Sequence, residues 1–151
     1  MLSLGKSKLM VLETTYDSPE NKNIVNDYVG EPFSFFEALK RRGIGSKRMI
    51  IHAVSPNLMW VTNLVSDVNY ANIELRKKGI IIYINKGLRN FAWLIPYRQL
   101  VVYKTEVMSI HAQGKFIQFL NDHIFKQNKS FFSKLLNEKI EYDKEYSTPV
   151  Y

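Results

Sequence analysis

The chain has 151 residues, 46% of them hydrophobic and 13% aromatic, with a net charge of +7 and no cysteine. Such a length and apolar content suit one domain with a proper core and argue against disorder. The absence of cysteine rules out a disulfide framework, a thiolate metal site and a cysteine nucleophile.

In chain order, residues 8–15 have the composition of a strand. Residues 16–22 read as a polar turn or loop in which Pro19 acts as a breaker. Residues 31–42 read as a helix. Glu31 and Glu37 stand early, Lys40, Arg41 and Arg42 late, and Gly43 sits where a C-terminal cap belongs, an order that complements the helix dipole. Phe33, Phe36 and Leu39 supply its apolar side. Gly43-Ile44-Gly45-Ser46 is a short join, and the domain boundary is placed there. It has the residue types of a phosphate loop in the wrong order, after a helix and before a strand, so that reading is rejected.

From residue 47 onward the pattern is dominated by strands. Residues 47–54 read as the first. Residues 58–67 also have strand composition, although Ser55-Pro56 and the spacing of Leu58, Val61, Val65 and Val68 suit a helix start as well. Strands are then expected at 72–76, 80–84, 91–103, 106–112 and 115–120. Lys78-Gly79, Lys86-Gly87 and Gln113-Gly114 supply turn glycines able to take positive φ. Met108, Ile110 and Ala112 alternate with Ser109 and His111, a period of two. Pro96 cannot donate to a ladder and is expected at an edge, bulge or strand break.

After Leu120 the period becomes helical through Ile124, Phe125, Phe131, Phe132, Leu135, Leu136 and Ile140. Asn121 or Asp122 can cap the start, and Ser130 a second start if the helix breaks near Asn128. Residues 143–151 are expected to form a loose tail. The result is an α+β chain. Residues 1–45 form an N-terminal extension with one helix, and 46–142 form a small, partly open antiparallel β-barrel of about seven strands. A helix over 121–141 caps that barrel.

Residues 73–83, the Trp93-Leu94-Ile95-Pro96-Tyr97 stretch and the closing hairpin over 109–117 are similar to strands of the bacterial PH-like domain family. A final capping helix is also expected of that family. The resemblance covers about two thirds of the chain and leaves out the first 45 residues. It implies a non-enzymatic binding module in which loops at one barrel mouth hold acidic headgroups in some members, while others bind proteins.

The charges bear on partners. Residues 1–48 hold eight Lys/Arg and six acids, 49–115 eight and three, and 116–151 five and five. The excess therefore lies in the strand region, concentrated in turns. Lys47, Arg48, Arg76, Lys77, Lys78, Lys86 and Arg89 are the candidate contacts for an anionic membrane surface or a protein partner. Solvated turn cations, and a helix C-terminal cluster at Lys40-Arg41-Arg42, are the plainer reading of the same residues. A nucleic-acid module and a barrel holding a small apolar ligand are the alternatives. Tyr83, Tyr97 and Tyr103 neighbour cations and could stack on bases, but filling the barrel or its rim is the expected role.

His52, His111 and His123 show no metal-ligand spacing, and Asp67 and Glu74 are the only acids between Arg48 and Thr105. No nucleophile elbow is present, so neither an enzyme nor a cofactor is expected. The longest apolar runs, 80–84 and 91–96, fall far below the ~20 residues of a membrane-spanning helix. A cytoplasmic protein, free or peripheral to a membrane, is the expectation, with self-association through residues 1–45 as an option.

Overall fold

The computed structural model describes residues 10–62 and 68–146. Eight strands form one antiparallel, open sheet: β1 Val11–Glu13, β2 Met49–Val54, β3 Tyr70–Leu75, β4 Gly79–Lys86, β5 Arg89–Pro96, β6 Val101–Lys104, β7 Met108–Ala112 and β8 Lys115–Phe119. Their spatial order is β1-β5-β4-β3-β2-β8-β7-β6. Four helices accompany them: α1 Pro19–Val29, α2 Phe35–Lys40, α3 His123–Lys126 and α4 Lys129–Tyr146.

β2 joins the two halves of the sheet. Met49 and Ile50 pair with β3, whereas Ile51, Ala53 and Val54 pair with β8, and the register shifts between Ile51 and Ala53. An extra residue at that point, His52, bends the strand and increases its twist, which turns one half of the sheet over the other. Pro96 makes the second corner. It ends β5, and a 3-10 turn over Tyr97–Gln99 swings the chain into β6. The single strand expected over 91–103 is therefore two strands.

Three further expectations are corrected. Residues 58–67 do not begin as a strand: Ser55 precedes a 3-10 helix over Pro56–Val61, with proline at its first position. Residues 63–67, including Asp67, lie outside the described residues. Residues 16–22 are not simply a loop, because Ser18 accepts from the Asn21 N–H and Pro19 occupies the first turn of α1. Proline at a helix start removes an N–H that would have no partner there, so it opened the helix instead of breaking it. Finally, α4 runs on to Tyr146, so residues 143–146 are helical.

The run Ile80-Ile81-Ile82 is explained by cover on both sides of the sheet. Ile73, Leu75, Ile80, Ile82, Ile84, Phe91, Trp93 and Ile95 share the inner face of the sheet and are fully buried. Ile81, Ala92 and Leu94 alternate with them on the outer face, yet are equally buried, because α1 lies across that face through Val25 and Val29. A strand buried on both sides loses its hydrophobic-polar alternation. β1 continues the same sheet by pairing Val11 with Trp93 and Glu13 with Phe91.

The C-terminal helices pack on the sheet beside β2 and β8. Phe132 packs between Phe119 and Phe125, with centroids at 6.3 and 5.4 Å, while Phe131 and Leu135 are buried beside it. Leu136 and Ile140 fall off this side and are partly exposed. Asp122 caps α3 by accepting from the Phe125 N–H at 2.9 Å. The helix then breaks at Gln127-Asn128. Buried Asn128 accepts from the Lys47 N–H at 2.9 Å, and its amide nitrogen faces the carbonyls of Lys47 and Ile124 at 3.4 and 3.3 Å. This amide fastens the entrance of β2 to the helix junction. Asn128→Ala leaves those backbone groups unpartnered and is expected to cost about 1–3 kcal/mol in urea unfolding.

Candidate docking surface

The seven candidate cations do not gather into one patch. Arg76, Lys77 and Lys78 link β3 to β4, while Lys86 and Arg89 flank the two-residue turn linking β4 to β5. These turns lie at opposite ends of an eight-residue strand, about 24 Å apart at ~3.4 Å per residue. Lys47 and Arg48 precede β2. Lys47 donates to Gln127 Oε1 at 3.1 Å, and the Arg48 guanidinium lies 4.7 Å from the centre of the Tyr70 ring.

Two of the seven are held by the fold. Arg76, with a side chain only 12% exposed, donates to Glu74 Oε2 at 2.6 Å, to Asn26 Oδ1 at 3.2 Å and to the Gly30 carbonyl at 3.1 Å. It clasps the C-terminus of α1 to the hairpin. Arg89 makes a two-pronged pair with Glu13, at 3.0 and 2.9 Å, and lies over Phe91. Lys86 donates to the Trp60 carbonyl at 2.8 Å. At the Lys86–Arg89 end only Arg89 is neutralised by a carboxylate, and Lys86 keeps its charge; this end also exposes Met59, Trp60 and Leu88.

The Arg89 hydrogen bonds, followed by that from Thr15, bring the Glu13 carboxyl down from 4.5 to about 2. A carboxylate with a depressed folded pKa stabilises above its unfolded pKa, and the contribution is lost as pH falls through the folded value. The pinning of β1 to β5 should accordingly hold down to about pH 4.5 and weaken toward pH 2. NMR titration of the Glu13 carboxyl is the check, and Arg89→Gln is expected to move its midpoint back toward the ordinary value.

The opposite end differs. α2 begins with a reciprocal capping box: the Glu37 N–H donates to Ser34 Oγ at 3.2 Å, and the Ser34 N–H to Glu37 Oε1 at 3.0 Å. The Ser34 N–H, then the Ser34 hydroxyl, with a smaller contribution from Lys77, lower the pKa of the Glu37 carboxyl. Arg42 and Gly43 then take φ of 59° and 95°, and the Gly43 N–H returns to the Ala38 carbonyl at 2.9 Å. The tethers to the body are polar. Arg41 pairs with Glu138 and covers Phe33, Lys77 approaches Glu37 at 3.6 Å, and Lys134 donates to the carbonyls of Arg42 and Gly43.

What remains outward is apolar: Phe35 is 75% exposed, Phe36 78% and Leu39 63%. Phe36 and Leu39, read from the sequence as an apolar side, therefore face solvent. Lys40 and Arg42 adjoin them in the chain, and the β3–β4 turn with Lys78 reaches α2 through Lys77 and Glu37. Lys40, Arg42 and Lys78 form no ion pair among the described residues, although Glu138, Glu141 and Glu145 of α4 line the same end. Lys40-Arg41-Arg42 is visible as a cluster in the sequence, but its nearness to the 77–78 turn depends on the Lys77–Glu37 approach. The sequence expectation of one helix over 31–42 hid this: the helix is only Phe35–Lys40, and the Ser34 and Glu37 spacing of a capping box was the signal that could have marked its late start.

A cleft of about 480 Å³ opens between α1 and the outer sheet face, lined in part by Tyr16, Asn21, Val25, Asn26, Arg76 and Tyr83. Its charges pair internally, as Asp17–Lys22 and Glu74–Arg76. Burial, and then the Glu74 charge, raise the pKa of the Tyr83 hydroxyl. The barrel interior itself is filled by Trp93, Phe91, Phe119 and the isoleucines. Among the described residues no group of three or more His, Cys, Asp or Glu side chains could hold a metal. No described helix is long and apolar enough to cross a membrane. Comparison with family models, curated proteins and solved structures finds no match.

Proposed function

We propose that this chain is a non-enzymatic docking module of PH-like type that binds an anionic membrane surface through the end formed by α2 and the β3–β4 turn. Leaving β1 aside, seven antiparallel strands followed by a closing helix fit the element plan that the PH-like resemblance implies. The observation that carries the functional reading is the grouping of Lys40, Arg42 and Lys78, with Lys77, at one end of the barrel, while Arg76 and Arg89 are consumed by ion pairs. Cations left without carboxylates attract a negatively charged leaflet, each contributing about 1 kcal/mol near the surface.

The test is co-sedimentation with phosphatidylcholine vesicles, with and without phosphatidylserine, at about 0.15 and about 0.5 M salt, between which the Debye length falls from about 8 to about 4 Å. Binding only to the anionic vesicles, weakening with salt, is the expected result. Reversing Lys40, Arg42 and Lys78 to glutamate should lower partitioning by about 100-fold or more, since three attractive charges become repulsive. Unchanged binding in that variant sinks the assignment. Binding to an acidic protein but to neither vesicle type would move the function to a protein partner.

A further inference from the structure

We propose that α2 is a preformed wedge whose Phe35, Phe36 and Leu39 side chains enter the interfacial layer of the anionic bilayer. This rests on the docking function proposed above and adds the element that penetrates. The geometry is that of an inverted amphipathic helix. Its one acid, Glu37, faces Lys77, and Arg41 at its C-terminal end pairs with Glu138, while its large apolar groups face outward together with Lys40. A surface helix normally turns its apolar stripe to the core, so this inversion needs an apolar occupant on the outside.

Charge complementarity selects that occupant. Lys40 follows the apolar cluster in the same helix, Arg42 stands just beyond its end, and Lys78 lies on the neighbouring turn, all exposed. Apolar rings bordered by cations match the layered chemistry of a membrane interface, with acyl chains beneath anionic headgroups. The one acid on the helix, Glu37, is already committed to Ser34 and Lys77 and adds little repulsion. The helix is also held at both ends, by its capping box and by the bonds from Gly43 and Lys134. Insertion therefore requires little ordering of the protein, unlike an unstructured segment that folds on the membrane.

Electrostatic docking and insertion separate experimentally. Charge attraction is screened by salt, whereas burial of rings in the interface is not. The two native tryptophans are a useful background: Trp93 is buried in the core, and Trp60 lies at the Lys86 end of the barrel, away from α2. Phe36→Trp therefore places a reporter at the wedge, and phosphatidylserine vesicles with brominated acyl chains provide the depth-sensitive quencher.

The expected result is blue-shifted, quenched emission from Phe36→Trp and little quenching in the unsubstituted protein. The triple variant Phe35→Ser, Phe36→Ser, Leu39→Ser alters only exposed positions. It should weaken vesicle partitioning by about tenfold per side chain, the scale expected for removing an apolar side chain from a buried setting. Sedimentation of Phe36→Trp with anionic vesicles but no quenching overturns the wedge and leaves charge docking standing. Neither sedimentation nor quenching overturns both. A protein that is dimeric in solution and becomes monomeric in the triple variant would assign the patch to a second copy of the chain, and that too overturns the wedge.

Discussion

Replacing Gly79 by alanine is expected to lower stability by about 3 kcal/mol or more, with the melting temperature falling by roughly 10 °C. A Cβ at this position would lie well inside contact distance of the Ile95 carbonyl oxygen, and 2.9 Å from both Pro96 Cα and Val29 Cγ1. Two of those neighbours are backbone and cannot swing away. The third belongs to α1, so the strain would spread to the packing of that helix. Gly79 pairs with Pro96 in the β4–β5 ladder, and shifting either strand would disturb the register through Ile80–Ile95 and Ile82–Trp93. Thermal unfolding followed by far-UV circular dichroism checks this. A variant melting within two degrees of the parent would show that the three chains of atoms can separate cheaply.

The second large effect is expected at Arg76. Arg76→Ala removes every donor that holds Glu74, Asn26 and the Gly30 carbonyl together, and leaves a half-sheltered carboxylate without its partner. Breaking a fully buried pair costs about 3–5 kcal/mol. Glu74 retains some solvent contact, so about 2–3 kcal/mol is expected here. The loss should appear locally as well, as faster amide exchange in the last turn of α1, because the Lys78 N–H to Val29 carbonyl bond would then hold that end with less support. Lys78→Ala, at an exposed side chain on the same turn, should change stability by less than ~0.5 kcal/mol. Arg76 is thus a poor probe of membrane binding, since its substitution disturbs the platform on which the neighbouring cations sit. Equal stability of Arg76→Ala and Lys78→Ala would remove the clasp from the account.

The strands were legible in the sequence wherever one chemical signal acted alone. β7 and β8 follow from period-two alternation around Gln113-Gly114, whose φ values of 57° and 74° fit the two-residue turn. Pro96 announced a break, and a corner occurs there. Misreadings arose where one residue can play two parts. Pro19 and Pro56 each stop a preceding segment and open a following helix; Ser18 caps the first through its side chain, whereas Ser55 makes no side-chain cap bond. Gly79 was read as a positive-φ turn residue, like Gly87 and Gly114, but only the latter two have positive φ. At Gly79 glycine is required by closeness to β5, a tertiary fact with no local trace.

The candidate site was legible in its charges and not in its placement. Which turn cations remain available depends on partners far away in sequence, Glu13 for Arg89 and Asn26 for Arg76. The continuous run Ile80-Ile81-Ile82 did hold a clue that something covers the outer face of β4. It does not say that the cover is α1, whose apolar residues Val25 and Val29 sit in a largely polar stretch.

The pairing of Val11 with Trp93 also sets a timetable for synthesis. At about 5–20 residues per second, roughly 4–16 s pass between the translation of the first strand and that of its partner. During that interval β1 has no edge to join, and Val25 and Val29 have no surface to cover. The β4–β5 hairpin, closed by a two-residue turn, can form as soon as it emerges and then collects the waiting segments from behind it. The segment from Met10 to Val29 is therefore among the parts that must be kept from straying until the middle exists, because Met10, Val11, Leu12, Val25 and Val29 are core residues whose partners come later.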